Sequence, residues 1–133
     1  MLFNDIIKIL IAVELSLGSN CYKLQTMVHE LLHGVGLYHE HTRADRDKYI
    51  EIKTANIAEG RKGNFNKRTN TDLRKWFDFE SIMLYGDRYF SNDRNSPTIV
   101  SKVNGQRILE PTDKAGILSK GDIEMLSILY HCK

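Results

Sequence analysis

Histidine is concentrated in one short stretch of the chain, where four of the five histidines fall between residues 29 and 41, in the run HELLHGVGLYHEH. Apolar residues recur at three- and four-residue spacing up to and within this run, which predicts an α-helix over residues 22–34. Residues four apart on a helix lie about 40° apart around its axis and about 6 Å apart along it. His29 and His33 can therefore direct their imidazoles at one metal ion.

A third ligand and a base complete the pattern HExxHxxGxxH. Catalytic zinc sites use three protein ligands and keep one position open. Gly36 can adopt a positive φ that ends the helix and turns the chain back, so that His39 reaches the ion. Glu30 lies on the same side of the helix as the two histidines, where it can act as a base toward a water at the metal.

Two other interpretations of this pattern are chance spacing on a core helix and a structural zinc site. Five fixed positions rarely coincide by chance. Structural sites have four protein ligands and favour Cys, and such a site would leave Glu30 without a task. The sequence thus favours one catalytic Zn²⁺ ion per chain, with His29, His33 and His39 as ligands and Glu30 as the catalytic base.

Composition limits the other possibilities. A chain of 133 residues fits one domain, and 41% hydrophobic with 27% charged residues is typical of a globular protein. The net charge of +2 comes from interspersed signs, which argues against a nucleic-acid partner. The longest apolar run, residues 9–13, is far shorter than the roughly 20 residues needed to cross a membrane.

The remaining pattern predicts an α+β arrangement with few strands. A second helix is expected over residues 120–130, capped by Ser119 with Asp122 in a capping box, and its stripe of Ile123, Leu126, Leu129 and Tyr130 is expected to face the core.

Short strands are expected around residues 49–52 and 98–100, and Asn104-Gly105 favours a hairpin over residues 98–109. Residues 60–70 are expected to form a loop whose basic side chains face solvent. Alternating apolar residues over 9–17 fit a strand better than a signal peptide, because acidic residues flank the run and Lys8 interrupts it.

Two further motifs make the sequence resemble the astacin family of the metzincin clan. HEHTRADRDKYIEI, in which Glu40 directly follows His39, is similar to the extended astacin signature, and SIMLYG at residues 81–86 is similar to the astacin Met-turn. The similarity continues through PTDKAG at residues 111–116 and covers the chain from about residue 13 to its end. It implies a zincin-like catalytic domain with an active-site helix, a C-terminal helix and few strands.

The resemblance also implies roles for two residues of the Met-turn. Met83 would lie beneath the metal, and Tyr85 would be an extra zinc ligand that swings away when substrate binds. Outside the Met-turn, Gly36 would support the turn before the third ligand. Leu84 departs from the commonest pattern, which has His there, but this departure touches neither Met83 nor Tyr85. Taken alone, Met83 could equally be a core-filling residue.

Compared with the family, residues 1–133 resemble a single peptidase domain that lacks its N-terminal part. The missing part would hold most of the sheet, and also the cysteines that pair with Cys21 and Cys132 in the family. The alternative is a direct disulfide bond between Cys21 and Cys132. Glu40 is associated in the family with anchoring the mature N-terminus. In this chain it is expected to form a surface ion pair with Arg43, worth under about 1 kcal/mol.

These features favour a zinc-dependent endopeptidase that acts on a protein or peptide substrate, and the resemblance implies that it is secreted. The alternative is a catalytically impaired zinc-binding fragment or a non-enzymatic astacin relative. An intracellular zinc protein is disfavoured by the secretory habit of the family.

Overall fold

The fold was analysed in a computed structural model that describes residues 23–69, 74–114 and 117–132. Within these ranges two α-helices, α1 (Leu24–Gly34) and α2 (Lys120–Tyr130), and two strands, β1 (Ile50–Ile52) and β2 (Ile99–Ser101), are joined by long irregular segments. Short 3₁₀ helices occur at Glu40–Thr42, Arg46–Lys48, Thr54–Asn56, Lys62–Phe65 and Pro111–Asp113. The α+β prediction is confirmed. The predicted strand over residues 9–17 lies outside the described residues, as does Cys21, so the pairing of Cys21 with the exposed Cys132 stays a prediction.

Helix α1 ends as its sequence predicts. Gly36 has φ +96°, and the Leu37 amide donates to the Leu32 carbonyl oxygen at 2.9 Å. A Cβ at Gly36 would meet nothing within 4 Å, so the backbone conformation, and not a lack of space, is what favours glycine there. This turn reverses the chain toward α1 and brings His39 back to it.

The strands pair with each other, and the predicted hairpin over residues 98–109 is wrong. Strand β2 pairs antiparallel with β1, with Ile50 opposite Ser101 and Ile52 opposite Ile99. The turn at Gly105 does form, with φ +75°, but residues 106–109 form no strand. Strand β2 pairs with the strand that carries the fully buried Ile50, whereas Ile108 is buried in the same hydrophobic cluster without belonging to a strand.

Two hydrophobic clusters form the core, and the segment 82–85 joins them. Ile82 and Met83 lie in the cluster with Leu32 and Leu37, against α1 and α2. The next two residues, Leu84 and Tyr85, lie in the larger cluster around the strands, with Ile50, Phe65 and Ile99. The predicted Met-turn therefore lies where both halves of the core meet.

Helix α2 begins with the predicted capping box. The Ser119 hydroxyl accepts from the Asp122 amide at 2.9 Å, and the Asp122 carboxylate accepts from the Ser119 amide at 3.0 Å. The predicted core stripe is wrong in part, because Ile123 is 53% exposed and Leu129 36%. Leu126 of the predicted stripe does pack against the Leu32 cluster, together with Met125.

At the end of α2 the Tyr130 hydroxyl donates to the Val35 carbonyl oxygen at 2.6 Å, which ties α2 to the end of α1.

In the loop over residues 60–70, four basic residues are exposed as predicted, namely Arg61, Lys62, Lys67 and Arg68. Neither described helix has the length and apolar character that a bilayer span requires.

Glu40 is the centre of a buried ionic network, which corrects the expected surface pair with Arg43. Glu40 is 6% exposed and Arg43 3%. The Glu40 carboxylate accepts from Arg43 at 3.3 Å, from Arg74 at 2.5 Å and from the Asp78 amide at 2.8 Å. Burial raises the pKa of Glu40, whereas Arg74, the Asp78 amide and Arg43 act in the opposite direction. The spacing of three residues predicts the ion pair between Glu40 and Arg43. The second partner, Arg74, and the burial of the pair are evident only in the folded chain.

The Glu40→Gln variant tests this network. Gln keeps the shape but removes the charge, which leaves the buried Arg74 with only the longer pair to Asp78 at 3.5 Å while Arg43 keeps Asp45, so the free energy of unfolding should fall by about 3–5 kcal/mol. Urea denaturation of both proteins measures the difference. The control is Glu51→Gln, whose exposed pair with Lys53 at 2.7 Å should be worth under about 1 kcal/mol. Equal small losses in the two variants would contradict the burial of the network.

Candidate metal centre

Two backbone carbonyl groups orient the histidines of α1. His29 Nδ1 lies 2.8 Å from the Ile82 carbonyl oxygen, and His33 Nδ1 lies 2.8 Å from the Leu37 carbonyl oxygen. A carbonyl oxygen only accepts hydrogen bonds, so each Nδ1 carries the proton and donates. In the neutral imidazole this leaves a lone pair on each Nε2, directed away from these carbonyls.

The third imidazole completes a three-nitrogen cluster. His39 Nε2 lies 3.1 Å from His29 Nε2 and 3.0 Å from His33 Nε2, and the ligand atoms of the three residues all lie within 4.8 Å of one another. Among the described residues, this is the one group of His, Cys, Asp or Glu side chains with the spacing of a metal site. The helix brings His29 and His33 to the site, and the turn at Gly36 brings His39.

The donor set fits a zinc ion. Since His29 and His33 both present lone pairs, a neutral His39 that is protonated on Nε2 can donate to only one of them, and a His39 protonated on Nδ1 sets lone pairs about 3 Å apart at both contacts. A cation between the nitrogens removes that repulsion. Zinc–nitrogen bonds of about 2.0–2.1 Å at tetrahedral angles separate neighbouring nitrogens by about 3.3 Å, close to the spacing found.

Burial keeps the site in the form that binds metal. Desolvation lowers the pKa of His29 below its ordinary value. Desolvation is also the main cause that lowers the pKa of His39 to about 2, and His41, His33 and His29 lower it further. Both imidazoles are therefore neutral near pH 7, which is the state a metal ligand needs.

Glu30 and Tyr85 lie beside this cluster. The ring centroids of Tyr85 and His39 are 4.4 Å apart. Burial raises the pKa of Tyr85 to about 12, with Tyr89 and the nearby Glu30 carboxylate as further causes, so the Tyr85 hydroxyl keeps its proton and can donate. Glu30 is half-buried on α1. The structure thus brings a carboxylate, a phenol and three imidazoles together.

Met83 lies under the segment that carries His39. Its side chain is buried beside Leu32 and Leu37, and its carbonyl oxygen accepts from the Glu40 amide at 3.0 Å. The main chain at Met83 therefore fixes the residue that follows His39. This contact gives Met83 a supporting position next to the candidate ligands.

An open groove leads to the cluster from one side. It is lined by His39 and Tyr85, by the Thr42 side chain and by polar residues of the 60–70 loop, among them Asn64, Lys67 and Arg68. The Arg68 guanidinium lies 4.2 Å from the Tyr38 ring centroid. The groove therefore opens the His39 side of the candidate metal centre to solvent.

Sequence reasoning assigned no task to His41, which is fully buried. Its ring lies 4.0 Å from the Tyr85 ring and 5.2 Å from the His39 ring, and its Nε2 lies 3.1 Å from the Asn64 carbonyl oxygen. Burial lowers the pKa of His41 to about 4. The only sequence signal was its place in the histidine cluster, which does not distinguish a ligand from a neighbour that packs against one.

Comparison with known proteins places this geometry in a family. Residues 8–131 match the family described as Astacin (Peptidase family M12A). The chain is 41% identical over 120 residues to astacin-like metalloprotease toxin 1 of Loxosceles intermedia, a match that covers 89% of this chain and 46% of the toxin. It is 38% identical over 121 residues to bone morphogenetic protein 1 of Xenopus laevis, covering 89% of this chain and 17% of that protein.

A solved structure is also similar. High choriolytic enzyme 1, a hatching enzyme zinc-protease from the medaka Oryzias latipes, superposes with a TM-score of 0.74 at 34% identity. The match covers 82% of this chain and 53% of that one. The chain thus spans about half or less of the length of these relatives. Since the family match extends over nearly all of its residues, the chain belongs to the astacin family of peptidases.

Proposed function

We propose that this chain is a zinc-dependent endopeptidase that hydrolyses peptide bonds in proteins, with residues 1–133 belonging to a single peptidase domain. The observation that carries the proposal is the convergence of three Nε2 atoms, two of them with their lone pairs directed by backbone carbonyls, beside Glu30 and Tyr85. Family membership supports the same reaction class. Relatives named as a toxin and as a morphogenetic protein support a secreted location.

In the proposed mechanism His29, His33 and His39 hold the ion. Bound zinc supplies a Lewis acid that polarises the scissile carbonyl and lowers the pKa of water at the site to about 7. Glu30 accepts a proton from the attacking water and passes it to the leaving amine, so the carboxylate is regenerated in each turnover.

Tyr85 has two proposed tasks. It is an additional ligand before substrate binds, and once released it donates a hydrogen bond to the oxyanion that develops on the carbonyl. Its high pKa supports the second task, because a phenol that stays protonated remains a donor across the neutral range. Gly36 and Met83 support the site by placing His39 and the residue after it.

A second candidate is a zinc-binding chain with impaired catalysis. It is favoured by one observation, namely that the chain covers only 46% of the toxin and 53% of the choriolytic enzyme. Substrate contacts supplied by the rest of those proteins could be needed for turnover. The two candidates agree on the metal and differ only in hydrolysis.

Casein digestion separates the two candidates. The zinc-loaded chain should cleave casein, lose this activity in 1,10-phenanthroline, and regain it when one equivalent of zinc is restored, because the metal and not a side-chain nucleophile polarises the carbonyl. A chain that contains one zinc ion but leaves casein intact is the second candidate. Cleavage that is insensitive to the chelator rejects both.

The base is tested with Glu30→Gln. Zinc content should stay near one ion per chain, because Glu30 is not a proposed ligand, while kcat/KM falls by about 10²–10⁴, the usual contribution of a general base. Metal analysis and peptide hydrolysis are measured on the same preparation. Glu59→Gln, at an exposed position that belongs neither to the histidine cluster nor to the groove lining, is the matched control and should change neither quantity. Activity retained in Glu30→Gln contradicts the assignment of the base.

The oxyanion donor is tested with Tyr85→Phe, which removes one hydroxyl and keeps the ring. We expect kcat to fall by about 10²–10³ with little change in KM, because the lost hydrogen bond forms mainly in the transition state. Tyr38→Phe, at a 52% exposed ring, is the control and should retain full kcat. A change confined to KM would assign Tyr85 to substrate binding instead.

A further inference from the structure

The turn of Ser81, Ile82 and Met83 is held by one carboxylate of α2. Asp122 accepts from the Ser81 hydroxyl at 2.6 Å through Oδ1 and from the Ile82 amide at 3.0 Å through Oδ2. The Ser81 hydroxyl accepts in turn from the Met83 amide at 3.0 Å. Asp122 is 1% exposed, and Ser81, Ile82 and Met83 are equally buried. Both carboxylate oxygens of Asp122 are thus bonded to the turn.

The same turn orients a candidate metal ligand. The Ile82 carbonyl oxygen accepts from His29 Nδ1 at 2.8 Å, and the amide of the same residue donates to Asp122. At the other end of the turn the Met83 carbonyl oxygen accepts from the Glu40 amide, next to His39. A shift of the turn therefore moves the carbonyl group that orients His29 and the carbonyl group that holds the amide of Glu40, the residue after His39.

We propose that Asp122 is a positioning residue of the metal centre, acting through Ser81 and Ile82 on the imidazole of His29. The inference rests on the proposed function, because it takes the three histidines as zinc ligands. Groups that orient metal ligands typically affect metal affinity by 10- to 100-fold without touching the ion. The capping box of α2 therefore has a second task beyond starting the helix.

Charge explains why a carboxylate fits this position. Asp122 receives three donors, the Ser81 hydroxyl, the Ile82 amide and the Ser119 amide, and an ionised carboxylate accepts all of them. Lys114 supplies a buried positive charge near Asp122 and donates from Nζ to the Ser81 carbonyl oxygen. The turn is consequently held from two sides: Asp122 accepts from its hydroxyl and amide groups, and Lys114 donates to its carbonyl group.

The test is Asp122→Asn, which preserves shape and leaves a single accepting oxygen. We expect zinc affinity, measured by competition with a chromophoric chelator, to fall by about 10- to 100-fold. We also expect the visible absorption spectrum of the cobalt(II)-substituted protein to change, since it reports ligand geometry. Ser81→Ala removes one link of the same chain and should lower zinc affinity by about threefold to tenfold.

The control separates positioning from stability. Ile123→Gly destabilises α2 at an exposed neighbouring position and touches none of the turn contacts, so it should lower the melting temperature and leave zinc affinity and the cobalt spectrum unchanged.

Four outcomes would contradict the inference or the proposed function on which it rests. Unchanged affinity in folded Asp122→Asn overturns the inference, and if that variant does not fold, unchanged affinity in Ser81→Ala overturns it. An equal loss of affinity in Ile123→Gly also overturns it, because stability alone would then explain the effect. Failure of the unsubstituted protein to bind zinc overturns the proposed function itself.

Discussion

The site depends on two hydrogen bonds from histidine Nδ1 atoms to backbone carbonyl oxygens. The Ile82 carbonyl fixes the tautomer of His29, and the Leu37 carbonyl fixes that of His33. Because these carbonyls can only accept, both Nε2 lone pairs are directed at the third imidazole, an arrangement that suits a cation between the three nitrogens. The rest of the described fold keeps these two carbonyl groups in place: the turn at Gly36 for one, and the turn anchored to α2 for the other.

Local sequence predicted the parts of the site that depend on local geometry. The spacing of His29 and His33 follows from the helical repeat, and the positive φ of Gly36 follows from the need to end the helix and return the chain. The capping box at Ser119 is likewise a relation between residues three apart. In each of these cases the interacting groups lie within one or two turns of the same chain segment, so the pattern specifies the contact.

Long-range partners could not be predicted in the same way. The pairing of β2 with β1, the burial of Glu40 against Arg74, and the bonds from Asp122 to the turn at Ser81 all join segments more than 30 residues apart. The local pattern does not indicate which distant group is the partner. The turn signal at Gly105 predicted that β2 pairs with the segment that follows it, which is wrong. The family resemblance predicted a Met-turn at residues 81–86, but the attachment of this segment to α2 is evident only in the folded chain.

X-ray absorption spectroscopy of the zinc-loaded protein tests the central claim most directly, because it measures the ligand atoms themselves. Our account predicts one zinc ion per chain, three imidazole nitrogens at about 2.0–2.1 Å and no sulfur neighbour. A sulfur shell at about 2.3 Å, which would place the ion on a cysteine, would contradict it. Absence of bound zinc after loading would do the same.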